Sequence, residues 1–289
     1  MKLLLTGRNG QVGYELERVL SVLGEVIATD RSRLDLAVPD AIRRVVREAK
    51  PDLIVNAAAY TAVDRAETEQ ELARQINGIA PGILAEEAKR VGAPIVHFST
   101  DYVFNGNKTA PYVETDPPAP LNVYGQTKLE GERAVAASGA RYLILRTSWL
   151  YGPRGKNFFL AIARKASTEE SLRVVDDQTG APTTGRFIAE SVVSILQRGQ
   201  VPSRIYHLAA RGMTTWYSFA REIVSKLGLR ASVTPISTKD YPASAARPRY
   251  SLLDTGELER DFRIRLTSWE EQLDWCVGQL SSGNPDRRL

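Results

Sequence analysis

Short apolar bursts punctuate the first half of the chain, at residues 3–5, 25–29, 53–55, 94–98 and 142–145, and longer segments with helically spaced apolar positions separate them. Bursts that lack a polar face belong in a sheet buried on both sides. Their spacing fits strand-helix-strand crossovers, so the pattern predicts an α/β fold built on a doubly wound parallel sheet. Pro39, suited to a first helical turn, opens a predicted helix over 41–49. A second is predicted over 69–90, where Gly78 and Pro81 interrupt the pattern.

From about Trp149 the rhythm changes. A turn at 152–155 leads into predicted helices at 158–166, 186–197, 216–227 and 268–280, with short strands near 173–175 and 205–208. Residues 1–148 are expected to form one lobe and 149–289 mainly a second, smaller α/β lobe, with segments around 185–212 returning to the first. The length, 289 residues, is roughly twice a modal domain and accommodates both. The stretch 235–250, with Arg247 and Arg249, reads as a ligand loop or a plain connection. A frayed tail is expected around Arg287 and Arg288.

Composition narrows the classes. Hydrophobic residues at 43% and charged residues at 25% exclude a disordered chain or a coiled-coil rod. A single cysteine, Cys276, allows neither an internal disulfide nor a cysteine zinc site and fits a reducing compartment. No run approaches the ~18 apolar residues of a membrane span, and the expected location is the cytoplasm. With a net charge of only +4 and no interleaving of stacking aromatics with arginines, a nucleic-acid module is disfavoured.

The chemistry begins at Thr6-Gly7-Arg8-Asn9-Gly10-Gln11-Val12-Gly13, directly after the first predicted strand and opening the helix-like segment 12–23. In that context Gly7 permits a tight turn, Gly10 lets the backbone approach a pyrophosphate, and Gly13 allows close helix-to-strand packing. Asp30, ending the second strand, is placed to accept hydrogen bonds from an adenosine ribose, which favours NADH; Arg31 and Arg33 just beyond could neutralise a 2′-phosphate, which favours NADPH. The sheet is therefore expected to be Rossmann-like, with cofactor preference open.

Tyr124 and Lys128 lie four residues apart at the start of a predicted helix and so share a face. Chance alone gives roughly 0.3 such pairs in a chain of this composition, so position carries the argument. The pair follows Ser99-Thr100-Asp101 at the end of the strand 94–98, and the carboxyl edge of an open α/β sheet is where ligands bind. An ammonium beside a phenol lowers its pKa and makes Tyr124 an acid or base, while Thr100 offers a hydroxyl to a substrate carbonyl or simply caps the strand. Together these residues describe hydride transfer to a carbonyl. His97 and His207 sit in apolar runs and read as core histidines.

These residues resemble the extended short-chain dehydrogenase/reductase superfamily, with Asn77 matching its helix asparagine. Within it the chain resembles the dTDP-4-dehydrorhamnose reductase family, through phrases spanning its length: TGRNGQVGYEL, PDLIVNAAAYTAVDRAE, HFSTDYVFNG, APLNVYGQTKLEGE, LRTSWLYG, DQTGAPT and Arg247-Pro248. The resemblance implies that NADPH or NADH delivers hydride to C4 of a 4-keto sugar nucleotide, with Tyr124 as proton donor and Lys128 as partner of the nicotinamide ribose. It places Thr100 and Asp101 at the sugar carbonyl, Gly10, Gln11 and Val12 at the pyrophosphate, and Asp30 at the adenosine ribose. Asp35 and Leu36 fall around the adenine, Ala59, Tyr60 and Thr61 at the middle of the cofactor, Trp149 at the sugar nucleotide and Arg247 near its phosphates. An aromatic after a strand is more often packing than platform; the resemblance reverses that reading for Trp149. Two alternatives stand beside it, another nucleotide-sugar epimerase or dehydratase of the superfamily and a non-catalytic regulatory subunit, the latter opposed by the intact Tyr124 and Lys128.

One position departs from the family. Some members are bridged into dimers by magnesium held on interfacial glutamates, one at the position of Glu15 and one shortly after the Gly-Ala-Pro-Thr phrase, where this chain has Arg186. A cation there repels a divalent ion. The expectation is a monomer, or a dimer that magnesium does not bridge, with magnesium left open only as an activator.

Overall fold

The computed structural model describes residues 1–199 and 201–281, so the expected tail with Arg287 and Arg288 lies outside the described residues. Six parallel strands form the central sheet: β1 (Lys2–Thr6), β2 (Glu25–Thr29), β3 (Leu53–Asn56), β4 (Ile95–Thr100), β5 (Tyr142–Thr147) and β6 (Arg204–His207), in the order β6-β5-β4-β3-β1-β2. The chain leaves β1 for β2 on one side and returns to β3 on the other. That reversal opens a crevice at the carboxyl ends of β1 and β3.

Alternate residues of the strands feed two cores. Leu3, Leu5, Val55, Val96 and Leu143 meet Leu16 of α1 (Gln11–Val19) and, from late in the chain, Ile188 and Val192 of the helix Gly185–Leu196. On the other face Leu4, Ile54, Ile95 and Ile144 pack on α2 (Pro39–Ala49), α3 (Ala80–Val91) and α4 (Val123–Ala137) through Ile42, Val46, Leu84 and Val135. Burial on both faces is why the strands read as nearly continuous apolar runs. A further core of Tyr151, Phe159, Phe219, Trp269, Leu273 and Cys276 belongs to the later segments.

Three details differ from the sequence reading. The predicted helix 69–90 is a composite in which Gln70–Arg74 passes into a π-helical turn, Gln75–Ile79, before α3. Pro81 has no N–H for the Asn77 carbonyl four residues back, and the backbone widens there. Gly131 of α4 fills the space, since a Cβ on it would lie 2.1 Å from that carbonyl oxygen. Second, the stretch from 235 begins as a strand, Ser232–Ile236, paired in parallel with Ser171–Val175. Third, the helix predicted over 12–23 ends as a tighter turn at Leu20–Val22. Among the described residues no helix is long and apolar enough to cross a membrane.

A buried ion pair ties α4 to the sheet. Arg146 on β5 donates from Nε and Nη2 to the Glu132 carboxylate at 2.9 and 2.7 Å, with both side chains 2% exposed. Removing one partner strands a charge away from water, so Glu132→Ala is expected to destabilise the protein by about 3–5 kcal/mol, whereas Asp40→Ala, which breaks the exposed pair with Arg43, changes stability by less than about 1 kcal/mol. Urea unfolding of the two variants checks the contrast.

Candidate active site

The glycine loop lies where backbone meets backbone. Gly7 has φ +75°, and a Cβ on it would sit 2.7 Å from the Ala58 backbone after β3. On Gly13 a Cβ would lie 2.0 Å from the Gly7 carbonyl oxygen. Gly10 precedes α1 without a capping side chain. A groove of about 440 Å³ runs along this loop, with Gly7, Gly10, Gln11, Val12, Asp30, Asp35, Leu36, Ala59 and Thr61 on its wall. These are nine of the residues expected to hold a cofactor. Gly13 and Tyr60 instead support the wall: the Asn77 amide accepts from Tyr60 N at 2.8 Å and donates to Tyr60 O at 2.9 Å, and the Tyr60 hydroxyl donates to Glu69 at 2.6 Å. Asn77 also reaches Thr127 on α4 at 3.3 Å, so the π-helical turn couples the groove wall to the helix bearing Tyr124 and Lys128.

The groove fits a dinucleotide on its own chemistry. Backbone amides at an uncapped helix N-terminus attract phosphate, and glycines keep side chains out of the way. The Asp30 carboxyl is held below its ordinary pKa, first by the Ser32 hydroxyl at 2.6 Å and then by backbone N–H groups, so it stands ionised as an acceptor. Arg31 turns to Asp35, Nε to Oδ2 at 3.1 Å. Lys156, which the sequence reading did not single out, also lines the groove. Asn157 caps the helix Phe158–Ala166 and donates to Gln11 Oε1 at 2.9 Å, joining that helix to the loop.

At the carboxyl end of β4 the chain turns at Asp101, and Asn122 caps α4 by accepting from Gly125 N at 2.8 Å. Gly125 permits the approach of the turn Asp101–Val103 that follows β4, for a Cβ on it would lie 2.2 Å from Tyr102 O. Tyr124 packs edge-on to Tyr102, ring centres 5.8 Å apart. Burial pushes the Tyr124 hydroxyl up to about 12; the Thr100 side chain opposes this and the Asp101 carboxyl adds to it. The Thr100 hydroxyl donates to Asp101 Oδ1 at 3.0 Å and accepts from Tyr102 N at 3.1 Å. Asp101 itself is raised to about 7, because burial outweighs the hydrogen bonds that favour its charge.

Lys128 corrects an expectation. Its amine is 2% exposed, donates to the Phe98 carbonyl at 2.5 Å and faces His97 Nε2 at 3.5 Å. Burial lowers its pKa to about 8, with Glu132 opposing. The lysine therefore does not bring the Tyr124 hydroxyl toward neutrality in this arrangement. Desolvation dominates, and the phenol is an intact acid.

Trp149 adopts φ +45°, a strained conformation for a large residue, and stacks on Trp216 at 3.6 Å with an interplanar angle of 5°. Gly180 makes room for it. Arg247 forms a bidentate pair with Asp64, 2.6 Å at its shorter contact, and the same carboxylate holds Ser244 and Ala245. The 235–250 segment is thus pinned to the short helix Val63–Ala66 that follows β3, and Asn122 adds a bond to Ala246 O at 2.7 Å. Glu15 and Arg186 do face each other, at 3.9 Å, and Arg186 also pairs with Glu190 at 2.6 Å. Among the described residues no group of three or more histidine, cysteine, aspartate or glutamate side chains could hold a metal.

The chain matches the family described as RmlD substrate binding domain over residues 1–282. It is 45% identical to a dTDP-4-dehydrorhamnose reductase of Burkholderia thailandensis, covering 98% of this chain and all of that protein, and 43% identical to the Escherichia coli K12 protein of the same name, covering 97% and 98%. The structure of a dTDP-4-dehydrorhamnose reductase from Clostridium acetobutylicum superposes with a TM-score of 0.94 at 40% identity, over 97% of this chain and 100% of the other. One from Bacillus anthracis, solved with NADP, gives 0.92 at 36% identity, over 96% and 99%.

Asp101 supplies a test of the site's electrostatics. Its folded pKa lies above the unfolded value near 4, so the stability it contributes is fully present below that value and is lost as pH rises through about 7. The loss is on the order of 4 kcal/mol. Asp101→Asn is expected to gain stability relative to the parent between pH 4 and pH 8, and urea unfolding across that range measures the gain.

Proposed function

The chain belongs to the RmlD substrate-binding-domain family of dTDP-4-dehydrorhamnose reductases, and from that premise we propose that it reduces the C4 ketone of dTDP-4-dehydro-L-rhamnose to dTDP-L-rhamnose with NADPH or NADH. The observation that carries this reading is the half-buried, protonated phenol of Tyr124 beside Thr100, at the same carboxyl edge of the sheet as the glycine-loop groove. When bound, the nicotinamide cofactor supplies the hydride that reaches C4.

The residues of the chain supply the rest. Gly10, Gln11 and Val12 hold the pyrophosphate, Asp30 the adenosine ribose, Asp35 and Leu36 the adenine surroundings, and Ala59, Tyr60 and Thr61 the centre of the cofactor. Lys128, anchored on the Phe98 carbonyl, holds the nicotinamide ribose. Thr100, fixed by Asp101 and the Tyr102 amide, keeps the carbonyl oxygen beside Tyr124, whose hydroxyl gives its proton to that oxygen as negative charge develops. A phenol still protonated at neutral pH suits reduction, where an acid is required. Trp149 and Arg247 contact the sugar nucleotide from the second lobe, over the closed side made by the Asp64 pair. We place the reaction in the cytoplasm, on the single buried Cys276. Arg186 against Glu15 supports a monomer, or a dimer that magnesium does not bridge.

Tyr124→Phe is expected to lower kcat by at least about 10²-fold, the scale of losing a general acid, while NADPH titration by fluorescence shows unchanged affinity. Near-parental turnover in that variant removes Tyr124 from the chemistry.

A further inference from the structure

Three neighbouring strands carry polar side chains where an apolar core is expected. The register sets Thr6 of β1 opposite Asn56 of β3 and Asn56 opposite His97 of β4. All three are buried, at 1%, 1% and 0% exposure. Ala58 N donates to Thr6 Oγ1 at 3.2 Å, Thr6 Oγ1 meets Asn56 Oδ1 at 2.6 Å, Asn56 Nδ2 meets His97 Nδ1 at 3.0 Å, and His97 Nε2 faces Lys128 Nζ at 3.5 Å. The line runs unbroken from the backbone beside the glycine loop to the amine.

Its polarity follows from the first links. Thr6 takes the Ala58 N–H and has one proton of its own to give. The 2.6 Å separation suits O–H···O and is short for N–H···O, so that proton goes to the Asn56 carbonyl oxygen. The amide then turns its NH₂ to His97 Nδ1, which must accept. A neutral imidazole accepting at Nδ1 carries its hydrogen on Nε2, pointed at Lys128. That N–H is attracted by the lone pair of a neutral amine and repelled by an ammonium. A reversed chain, with the amide flipped, would turn Nε2 into an acceptor and hold the ammonium instead.

We propose that Thr6, Asn56 and His97 are positioning residues that act as one oriented chain of hydrogen bonds to govern whether the Lys128 amine carries a proton. The inference rests on the place given to Lys128 in the proposed reaction. The groups that act on the amine are the Phe98 carbonyl and His97 from β4 and Glu132 on its own helix, the carbonyl and the carboxylate favouring charge. Burial keeps His97 itself neutral, with Lys128 adding to that effect, so the imidazole works through its tautomer and not through its charge. The sequence reading of His97 as a core histidine gives its burial and misses this direction.

The direct test is ¹⁵N NMR of the histidine rings in the wild-type protein at neutral pH. The chain has two histidines, and His207, whose Nδ1 lies 3.1 Å from the Asp254 carbonyl, is an internal reference of the opposite tautomer. His97 is expected to show a bare Nδ1 and a protonated Nε2; a protonated Nδ1 overturns the proposal. The kinetic test replaces Thr6 without adding charge. Thr6→Val frees the Asn56 amide to flip, and at saturating cofactor the alkaline limb of the kcat profile is expected to move up by about one pH unit, with Thr6→Ser restoring the parental limb. A limb unmoved in Thr6→Val contradicts the proposal whatever happens to KM, because a merely structural role changes stability or affinity without moving the limb. If Thr6→Val does not fold, the NMR measurement decides alone. If the wild-type protein fails to reduce the sugar nucleotide, the reaction assignment falls while the tautomer still reports on the chain.

Discussion

The arrangement depends on a backbone contact at the carboxyl edge of the sheet, where Gly13 on α1 and Ala58 after β3 both press against Gly7 with no space for a Cβ on either glycine. The contact sets the pitch of α1 against β1 and aims its N-terminal amides along the groove. It also brings the ends of β1 and β3 together at the point where strand order reverses. Side chains just beneath, Thr6 and Asn56, then meet across the register, and the polar line to His97 and Lys128 becomes available. Packing and chemistry therefore share one origin. An alanine at Gly13 would disturb both, because the clash is with backbone that has no room to yield.

Above that contact the dominant physical effect is desolvation. Tyr124, Lys128 and Asp101 are all pushed toward their neutral forms by burial, each against an opposing neighbour: Thr100 for the tyrosine, Glu132 for the lysine, hydrogen bonds from Ser251 and Thr100 for the aspartate. The same desolvation penalises negative charge on a reacting oxygen, so an acid that stays protonated until that charge develops, and then gives up its proton, is what the site needs. The wider frame holds the pieces still. Asn77 links the Tyr60 wall to α4, Asn157 links the helix Phe158–Ala166 to Gln11, and Asp64 fastens the Arg247 segment.

Much of this was legible in the chain because it is written locally. Sheet strands such as Leu53–Asn56 are apolar until their last residue, the glycine loop follows a strand and opens a helix, and Tyr124 and Lys128 are one helical turn apart. What remained hidden is written across distance. Nothing near Trp149 announces Trp216 as its stacking partner, and no spacing rule pairs Asp64 with Arg247. Tyr102, next to the Asp101 that was singled out, had a signal in its position but none in its chemistry. Four-residue spacing gives Tyr124 and Lys128 a shared face and says nothing of the Phe98 carbonyl on the adjoining strand, which accepts from the Lys128 amine. The π-helical turn had a sequence trace in Pro81, whose missing N–H could be read as a break and not as a widening.

The most direct test of the central claim is a single incubation of the purified protein with dTDP-4-dehydro-L-rhamnose and NADPH, or NADH, deuterated at C4 of the nicotinamide, with the product examined by NMR. The account requires one equivalent of reductant to be oxidised per sugar, and dTDP-L-rhamnose to carry deuterium at C4. A sugar that changes configuration without net oxidation of the reductant, or no turnover despite bound cofactor, would contradict it.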